Sequence, residues 1–335
     1  MNPPFPPPKL KAGDIVCIIA PSRSMGIISK PNKALAIKAL ESLGLSVIFG
    51  NYVDECDLML SSSVKSRLQD LHEAFADPNI KAILPVIGGS NSNQLLAHID
   101  YDLIKRNPKI FCGFSDITAL LNAIYHKTGL VTYSGPQFSS FAMKQGFDYT
   151  LAYFKRIFFE TAGIFAEPSL TWSDDPWFLD QENRTFHKNQ GYWPIHTGKA
   201  QGRIVGGNLS TVLLLHGTPY MPSLDNTILF LEADSITEGH CIYEFDRAFQ
   251  ALIHQPDFHK VKGIVIGRFE QKFAMDLEKL KFIIESKPEL QNVPIIANAD
   301  FGHTTPIFTF PIGGTAILQV ESTGYVNLTF SDQNF

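Results

Sequence analysis

Between Asp14 and Tyr125 short apolar runs alternate with segments spaced as helices, and glycine, serine or proline marks the junctions. Asp14 to Ala20 reads as a buried strand ending at Pro21-Ser22. Lys30 to Leu43 reads as a helix closed by Gly44, and Ser46 to Phe49 as a second strand. Val64, Leu68, Leu71 and Phe75 give Ser63 to Ala76 one apolar helical face behind a serine cap. Lys81 to Ile87 is a third strand, followed by Gly88-Gly89. Lys109 to Gly113 is a fourth, followed by Ser115 and a helical pattern from Ile117 to Tyr125. A strand–helix alternation of this kind predicts an α/β fold: a doubly wound, largely parallel sheet with helices on both faces. Ligands of such sheets collect at the carboxyl ends of the strands, where the Pro21-Ser22, Gly88-Gly89 and Ser115 turns would all open.

The rhythm stops near Thr161. Up to Gly202 no period is sustained, and this stretch holds all three tryptophans, Trp172, Trp177 and Trp193. The expectation is a linker with an aromatic-rich surface loop, its indoles either pinning the loop to the body or serving a ligand. Beyond it, strands are expected at Thr227 to Glu232, Lys262 to Gly267, Pro294 to Ala297, Thr315 to Val320 and Tyr325 to Thr329. Helices are expected near Leu209 to Leu215, Glu238 to His254 and Asp276 to Ser286. The last two strands flank the turn Ser322-Thr323-Gly324. With 335 residues, two domains are expected: residues 1–160 as an N-terminal α/β domain and 203–335 as a β-rich C-terminal domain, joined by 161–202.

A net charge of −5 without a basic run offers no surface for a nucleic-acid polymer. No apolar run approaches bilayer-spanning length, and the proline-rich start, Met1 to Pro8, cannot form the apolar helix of a signal peptide. The four cysteines, Cys17, Cys56, Cys112 and Cys241, lie far apart, which fits reduced thiols. A cytoplasmic protein acting on small molecules, with neither membrane nor nucleic acid as partner, is the expectation.

Ser115 stands in Gly113-Phe114-Ser115-Asp116, where an apolar strand meets a helix. A serine on a sharp strand-to-helix turn exposes its hydroxyl and aims the next backbone N–H, that of Asp116, at the same space. That suits a nucleophile with half an oxyanion hole; a simple helix cap is the competing reading, since the spacing Gly-x-Ser-x-Gly is absent. Among ten histidines His303 differs, held in a loop bounded by Gly302 and Pro306 directly after an apolar strand. Glu232 ends another apolar strand, where a carboxylate needs a partner, either a histidine or a cation such as Arg247. The backbone N–H groups of Gly88-Gly89-Ser90-Asn91-Ser92-Asn93 offer a second half of an oxyanion hole. No metal-binding spacing and no dinucleotide fingerprint occurs, so no cofactor is expected.

Gly88 to Leu96, Gly113 to Leu120, Gly135-Pro136, Gly206-Gly207-Asn208-Leu209, Gly217-Thr218-Pro219-Tyr220 and Gly302-His303-Thr304-x-Pro306 follow one another in an order that resembles the serine LD-carboxypeptidase family, from about Gly13 to the C-terminus. That family comprises the muropeptide carboxypeptidases and the microcin C immunity peptidases. The segments Trp172 to Trp177 and Gly202 to Asn208 look more like the immunity branch. The resemblance implies an active site between the two domains, with Ser115 as nucleophile, His303 as general base and Glu232 orienting the imidazole. It further implies an oxyanion hole from the N–H groups of Gly89 and Asp116, a homodimer, and a nucleobase stacked on Trp177. Ser90 and Asn208, in the same motifs, join Trp177 as candidates for contact with substrate. The chain departs from the family at Ala233, where an acidic residue is frequent and Asp234 follows instead, and at Phe114, where tyrosine is frequent. The expected function is hydrolysis of an amide bond in a microcin C-like aminoacyl nucleotide. Removal of D-alanine from a murein tetrapeptide in cell-wall recycling is the alternative, and a non-catalytic binding protein a second one.

Overall fold

The computed structural model describes residues 3–234 and 241–332. One sheet has six strands, in the order Phe310–Ile312, Thr132–Ser134, Ile110–Gly113, Ile80–Pro85, Ile15–Ile19 and Ser46–Phe49. Every neighbour is parallel except Phe310–Ile312, which runs antiparallel to Thr132–Ser134. The doubly wound sheet is therefore present. All of Ile110–Gly113 is buried, as expected for a central parallel strand covered on both faces, whereas the edge strand Ser46–Phe49 alternates between exposed and half-buried. Its helices begin where serines can cap them: Ser29 accepts from the Asn32 N–H before Lys30–Glu41, and Ser63 from the Ser66 N–H before Val64–Ala76. The strand order reverses between Ile15–Ile19 and Ile80–Pro85, which creates a crevice at their carboxyl ends.

The second sheet has eight strands, in the order Ile164–Phe165, Val326–Ser331, Thr315–Val320, Gly198–Asn208, Thr227–Glu232, Gly263–Gly267, Ile295–Ala299 and Trp193–His196. The four strands from Gly198–Asn208 to Ile295–Ala299 are mutually parallel, and antiparallel strands flank them. The helices Cys241–Ile253 and Leu277–Glu285 make the crossovers between its parallel strands. The expected start of the first of these helices, residues 238–240, lies outside the described residues.

Three features differ from the sequence reading. Gly198–Asn208 is an 11-residue central strand that crosses the expected boundary at 202/203. Gly207 has φ +119° and a Cβ there would lie 2.6 Å from Thr118 Oγ1, so only glycine permits so close an approach. The stretch 161–202 contributes the strands Ile164–Phe165 and Trp193–His196 to the second sheet and a small ribbon, Thr171–Trp172 with His187–Lys188. Phe310–Ile312 returns from the C-terminal part of the chain to the first sheet.

The helix Thr118–Thr128 joins the two sheets. Asn122 Nδ2 donates to the Gly206 carbonyl (2.7 Å), the Gly206 N–H donates back to Asn122 Oδ1 (3.2 Å), and the Asn208 N–H donates to Thr118 Oγ1 (3.1 Å). Gly129, at φ +84°, ends the helix with its N–H on the Tyr125 carbonyl. Cys17, Cys112 and Cys241 are buried and Cys56 is exposed, all four as free cysteines. Among the described residues no helix is long and apolar enough to cross a membrane.

Candidate active site

Ser115 is the first residue after Phe114 at the end of the Ile110–Gly113 strand, and it opens the short turn Ser115–Ile117 that leads into Thr118–Thr128. Its φ of +62° is a left-handed conformation, which costs a non-glycine residue roughly 1–3 kcal/mol and persists only where the surroundings impose it. Gly88 packs directly on this turn: a Cβ on Gly88 would lie 2.9 Å from Ser115 Cβ. The strained turn delivers the hydroxyl to the carboxyl edge of the sheet. Ser115 Oγ lies 3.1 Å from His303 Nε2, and His303 Nδ1 lies 2.9 Å from Glu232 Oε2.

Glu232 is the last residue of the Thr227–Glu232 strand and is buried. The cation considered for it, Arg247, instead pairs with Glu244 on its own helix. Gly302, at φ +110°, brings the histidine loop against this carboxylate, where a Cβ would lie 3.1 Å from Glu232 Oε2. Burial disfavours the His303 imidazolium, but the charge and hydrogen bond of Glu232, with Asp234 and Glu270 adding, outweigh it and lift the ring to about 9. Hydroxyl, imidazole and buried carboxylate thus stand in an order in which an imidazole can take a hydroxyl proton and a carboxylate can stabilise the resulting cation.

A cavity of about 680 Å³ opens in front of this relay. Its wall includes Gly88, Gly89, Ser115 and His303, together with Trp177 and Phe178 of the aromatic segment. Phe114 also lines it, its ring meeting the His303 ring edge-on at 5.5 Å. The aromatic segment is held against the histidine loop by a two-residue bridge: the Ser173 N–H donates to the Thr305 carbonyl (2.7 Å) and the Thr305 N–H to the Ser173 carbonyl (2.8 Å). Trp177 is half-buried on this wall, whereas Trp172 lies under the Arg268 guanidinium, 5.1 Å away, and Trp193 stands in the edge strand of the second sheet.

Two expected contacts fall elsewhere. Ser90 is exposed and lies outside the lining residues. Asn208 is buried in register with Glu232 on the neighbouring strand and also lies outside them. Its Oδ1 caps the Leu209–Leu213 helix by accepting from the Thr211 N–H at 3.0 Å.

Near the site stand Asp234, noted in the sequence only as a departure beside Ala233, and Arg268 and Asp300, which sequence reasoning missed. Asp234 lines the cavity with its Oδ2 3.9 Å from His303 Nε2, and burial pushes its carboxyl upward against the opposing pull of His303. Arg268 and Asp300 form a buried pair at 2.6 Å; Asp300, three residues before His303, also accepts from Ser169 N–H and Oγ, both at 2.8 Å. Asp300 follows the apolar strand Ile295–Ala299, so its burial was the one available signal. Among the described residues no group of three His, Cys, Asp or Glu is placed to hold a metal ion.

A sheet-edge serine backed by a histidine and a buried carboxylate belongs to the serine hydrolases. Residues 16–135 match the LD-carboxypeptidase N-terminal domain and residues 201–318 the LD-carboxypeptidase C-terminal domain, and the chain belongs to the LD-carboxypeptidase family. It is 52% identical over 94% of its length to the Bacillus subtilis protein named "Putative carboxypeptidase YocD", covering 96% of that protein. To the Escherichia coli microcin C7 self-immunity protein MccF it is 31% identical, over 91% of this chain and 90% of MccF. The crystal structure of an MccF-like protein from Bacillus anthracis superposes with a TM-score of 0.96 at 54% identity, over 98% of this chain and 99% of that one.

Proposed function

We propose that this peptidase cleaves an amide bond through an acyl-enzyme on Ser115, and that its preferred substrates are microcin C-like aminoacyl nucleotides. The observation that carries the reaction is the continuous relay Ser115 Oγ–His303 Nε2–Glu232, at 3.1 and 2.9 Å. In this reading His303, as the neutral ring, removes the Ser115 proton as Oγ attacks the carbonyl carbon. The N–H groups of Gly89 and Asp116 receive the developing oxyanion. The imidazolium then returns its proton to the leaving nitrogen, and a water repeats the cycle on the ester.

The nucleotide preference is supported by the half-buried indole of Trp177 on the cavity wall, and by relatives of this fold solved with aspartyl sulfamoyl adenosine, glutamyl sulfamoyl guanosine and AMP. Release of D-alanine from a murein tetrapeptide is the second reading, favoured by the 27% identity to the murein tetrapeptide carboxypeptidase of Pseudomonas aeruginosa. A homodimer, acting in the cytoplasm, completes the proposal. Incubating the protein with both substrates and identifying the products by mass separates the two readings. Ser115→Ala is expected to lower kcat by several orders of magnitude with the fold intact; normal turnover by that variant, with either substrate, would sink the acyl-enzyme.

A further inference from the structure

The Asp116 carboxylate has no role in the relay, yet it is 3% exposed and one of its oxygens accepts three hydrogen bonds. It does not cap its own helix. Its Oδ2 accepts from Ser22 Oγ (2.6 Å), from the Asn91 N–H (3.0 Å) and from the Ser92 N–H (2.9 Å), and Ser92 Oγ donates to the Asp116 carbonyl (2.7 Å). These partners come from the loops that follow two adjacent parallel strands, Ile15–Ile19 and Ile80–Pro85, where the strand order reverses, and Asp116 itself follows the next strand, Ile110–Gly113. Behind them Arg67 holds the carbonyl side of the same loops: its Nη1 donates to the Asn91 carbonyl (3.0 Å) and the Pro21 carbonyl (3.3 Å), and its Nη2 to Gln94 Oε1 (2.6 Å).

We propose that the Asp116 side chain is the positioning residue of the oxyanion hole, tying the Gly88–Ser92 loop to the nucleophile turn so that the N–H groups of Gly89 and Asp116 keep one fixed separation. Beside the carboxylate, the Ser92 Oγ bond to the Asp116 carbonyl and close packing link the two. A Cβ on Gly88 would lie 2.9 Å from Ser115 Cβ and 3.5 Å from the Asp116 nitrogen, and one on Gly89 would lie 2.9 Å from Arg23 Cγ. The loop is thus wedged between the Ser22–Arg23 turn and Ser115, and the Asp116 carboxylate bonds to Ser22 on one flank and to the loop's own Asn91 and Ser92 N–H groups. An oxyanion hole works through donors that do not reorganise as charge develops, and a supporting shell that is loose forfeits this. A lone buried carboxylate beside the hole would oppose an oxyanion; three donors and the Arg67 cation absorb its charge.

This inference rests on the acyl-enzyme reading, and the test separates the two. The variants are Asp116→Ala, Asp116→Asn and Ser22→Ala in the full chain, with Ser115→Ala as control. Turnover is measured alongside labelling by a fluorophosphonate, in which Ser115 Oγ bonds to phosphorus, fluoride leaves and the hydroxyl proton passes to His303. The phosphonyl oxygen then occupies the oxyanion position. Asp116→Ala is expected to lower both kcat and the labelling rate by roughly 100-fold or more, the order seen when one oxyanion donor is removed. KM should stay within about twofold and the pH limb assigned to His303 should not move, because only the transition state uses the hole. Asp116→Asn keeps an acceptor oxygen and should fall between, and Ser22→Ala should lose a few-fold. Asp116→Ala with kcat and labelling within about threefold of the parent overturns the proposal, as does a loss in which KM rises in step or the pH limb shifts. Should Asp116→Ala not fold, unchanged kcat and labelling in both other variants overturns it equally. Labelling or turnover that survives Ser115→Ala removes the acyl-enzyme reading itself, whatever Asp116 does.

Discussion

His303 carries the clearest consequence of a single residue's surroundings. In the proposed mechanism the base works as the neutral ring, so a proton affinity raised to about 9 would delay activity to higher pH. kcat/KM is expected to climb with pH through about 9, not through the ordinary histidine range of about 6 to 7.5 that the sequence alone suggests. Glu232→Gln removes the largest upward influence on the ring, so the limb should move to lower pH while the maximal rate falls. A pH–rate profile with full activity and an unmoved limb would assign the role to another carboxylate. The same shift links pH to stability. A ring that binds its proton more tightly folded than unfolded stabilises the fold fully below the ordinary value of 6.5, and this contribution disappears as pH rises through about 9. Thermal midpoints of the parent should therefore drop across that window relative to Glu232→Gln, whose curve should be flatter there.

At the scale of elements, the aromatic segment is where substrate class is decided in the proposed reading. Base–aromatic stacking contributes about 1–3 kcal/mol, so Trp177→Ala should weaken use of an aminoacyl nucleotide by about 5- to 150-fold and leave D-alanine release from a tetrapeptide nearly unchanged. Equal loss on both substrates would reduce Trp177 to a packing residue, which its half-burial and its edge-on contact with Phe178 also permit. The segment is anchored by Asp300, which accepts from Ser169 and pairs with Arg268. Asp300→Ala leaves the Arg268 guanidinium buried without its carboxylate and should destabilise the fold by about 3–5 kcal/mol. Urea unfolding measures this. Activity on the nucleotide should fall more than activity on the tetrapeptide, since the anchored segment carries Trp177.

The whole molecule works only while its two sheets stay docked, because Ser115 belongs to the first and Glu232 to the second. Among the contacts that dock them are the Asn122–Gly206 exchange, the Asn208 N–H bond to Thr118, the Tyr133–Asp332 hydrogen bond, the packing of Phe310 on Phe230, and the close passage of Gly207 over Thr118. Gly207→Ala would force a Cβ against Thr118 at a φ of +119°. The expected result is a loss of about 1–3 kcal/mol, with kcat reduced alike for every substrate and for fluorophosphonate labelling. Wild-type kcat in a destabilised Gly207→Ala protein would show that the relay tolerates loosening between the sheets.

The parallel sheet, its helix caps and the serine turn were legible in the sequence because they are local: apolar runs, serines ahead of helices, and a glycine-flanked serine at a strand end are decided within a few residues. His303 and Glu232 could be proposed from their own loops and from the ordered motifs. Their meeting was implied only by the resemblance and not by any local pattern, since it requires residues 115, 232 and 303 to converge from two sheets. The Gly198–Asn208 strand was hidden because its glycines serve a neighbouring helix and strand that no local window contains. Asp116, beside the serine, looked like a helix cap; only folding brought Ser22, Asn91 and Ser92 around its carboxylate. Local backbone preference and apolar periodicity are properties of the sequence, whereas a buried charge finds its partners only where distant strands end together.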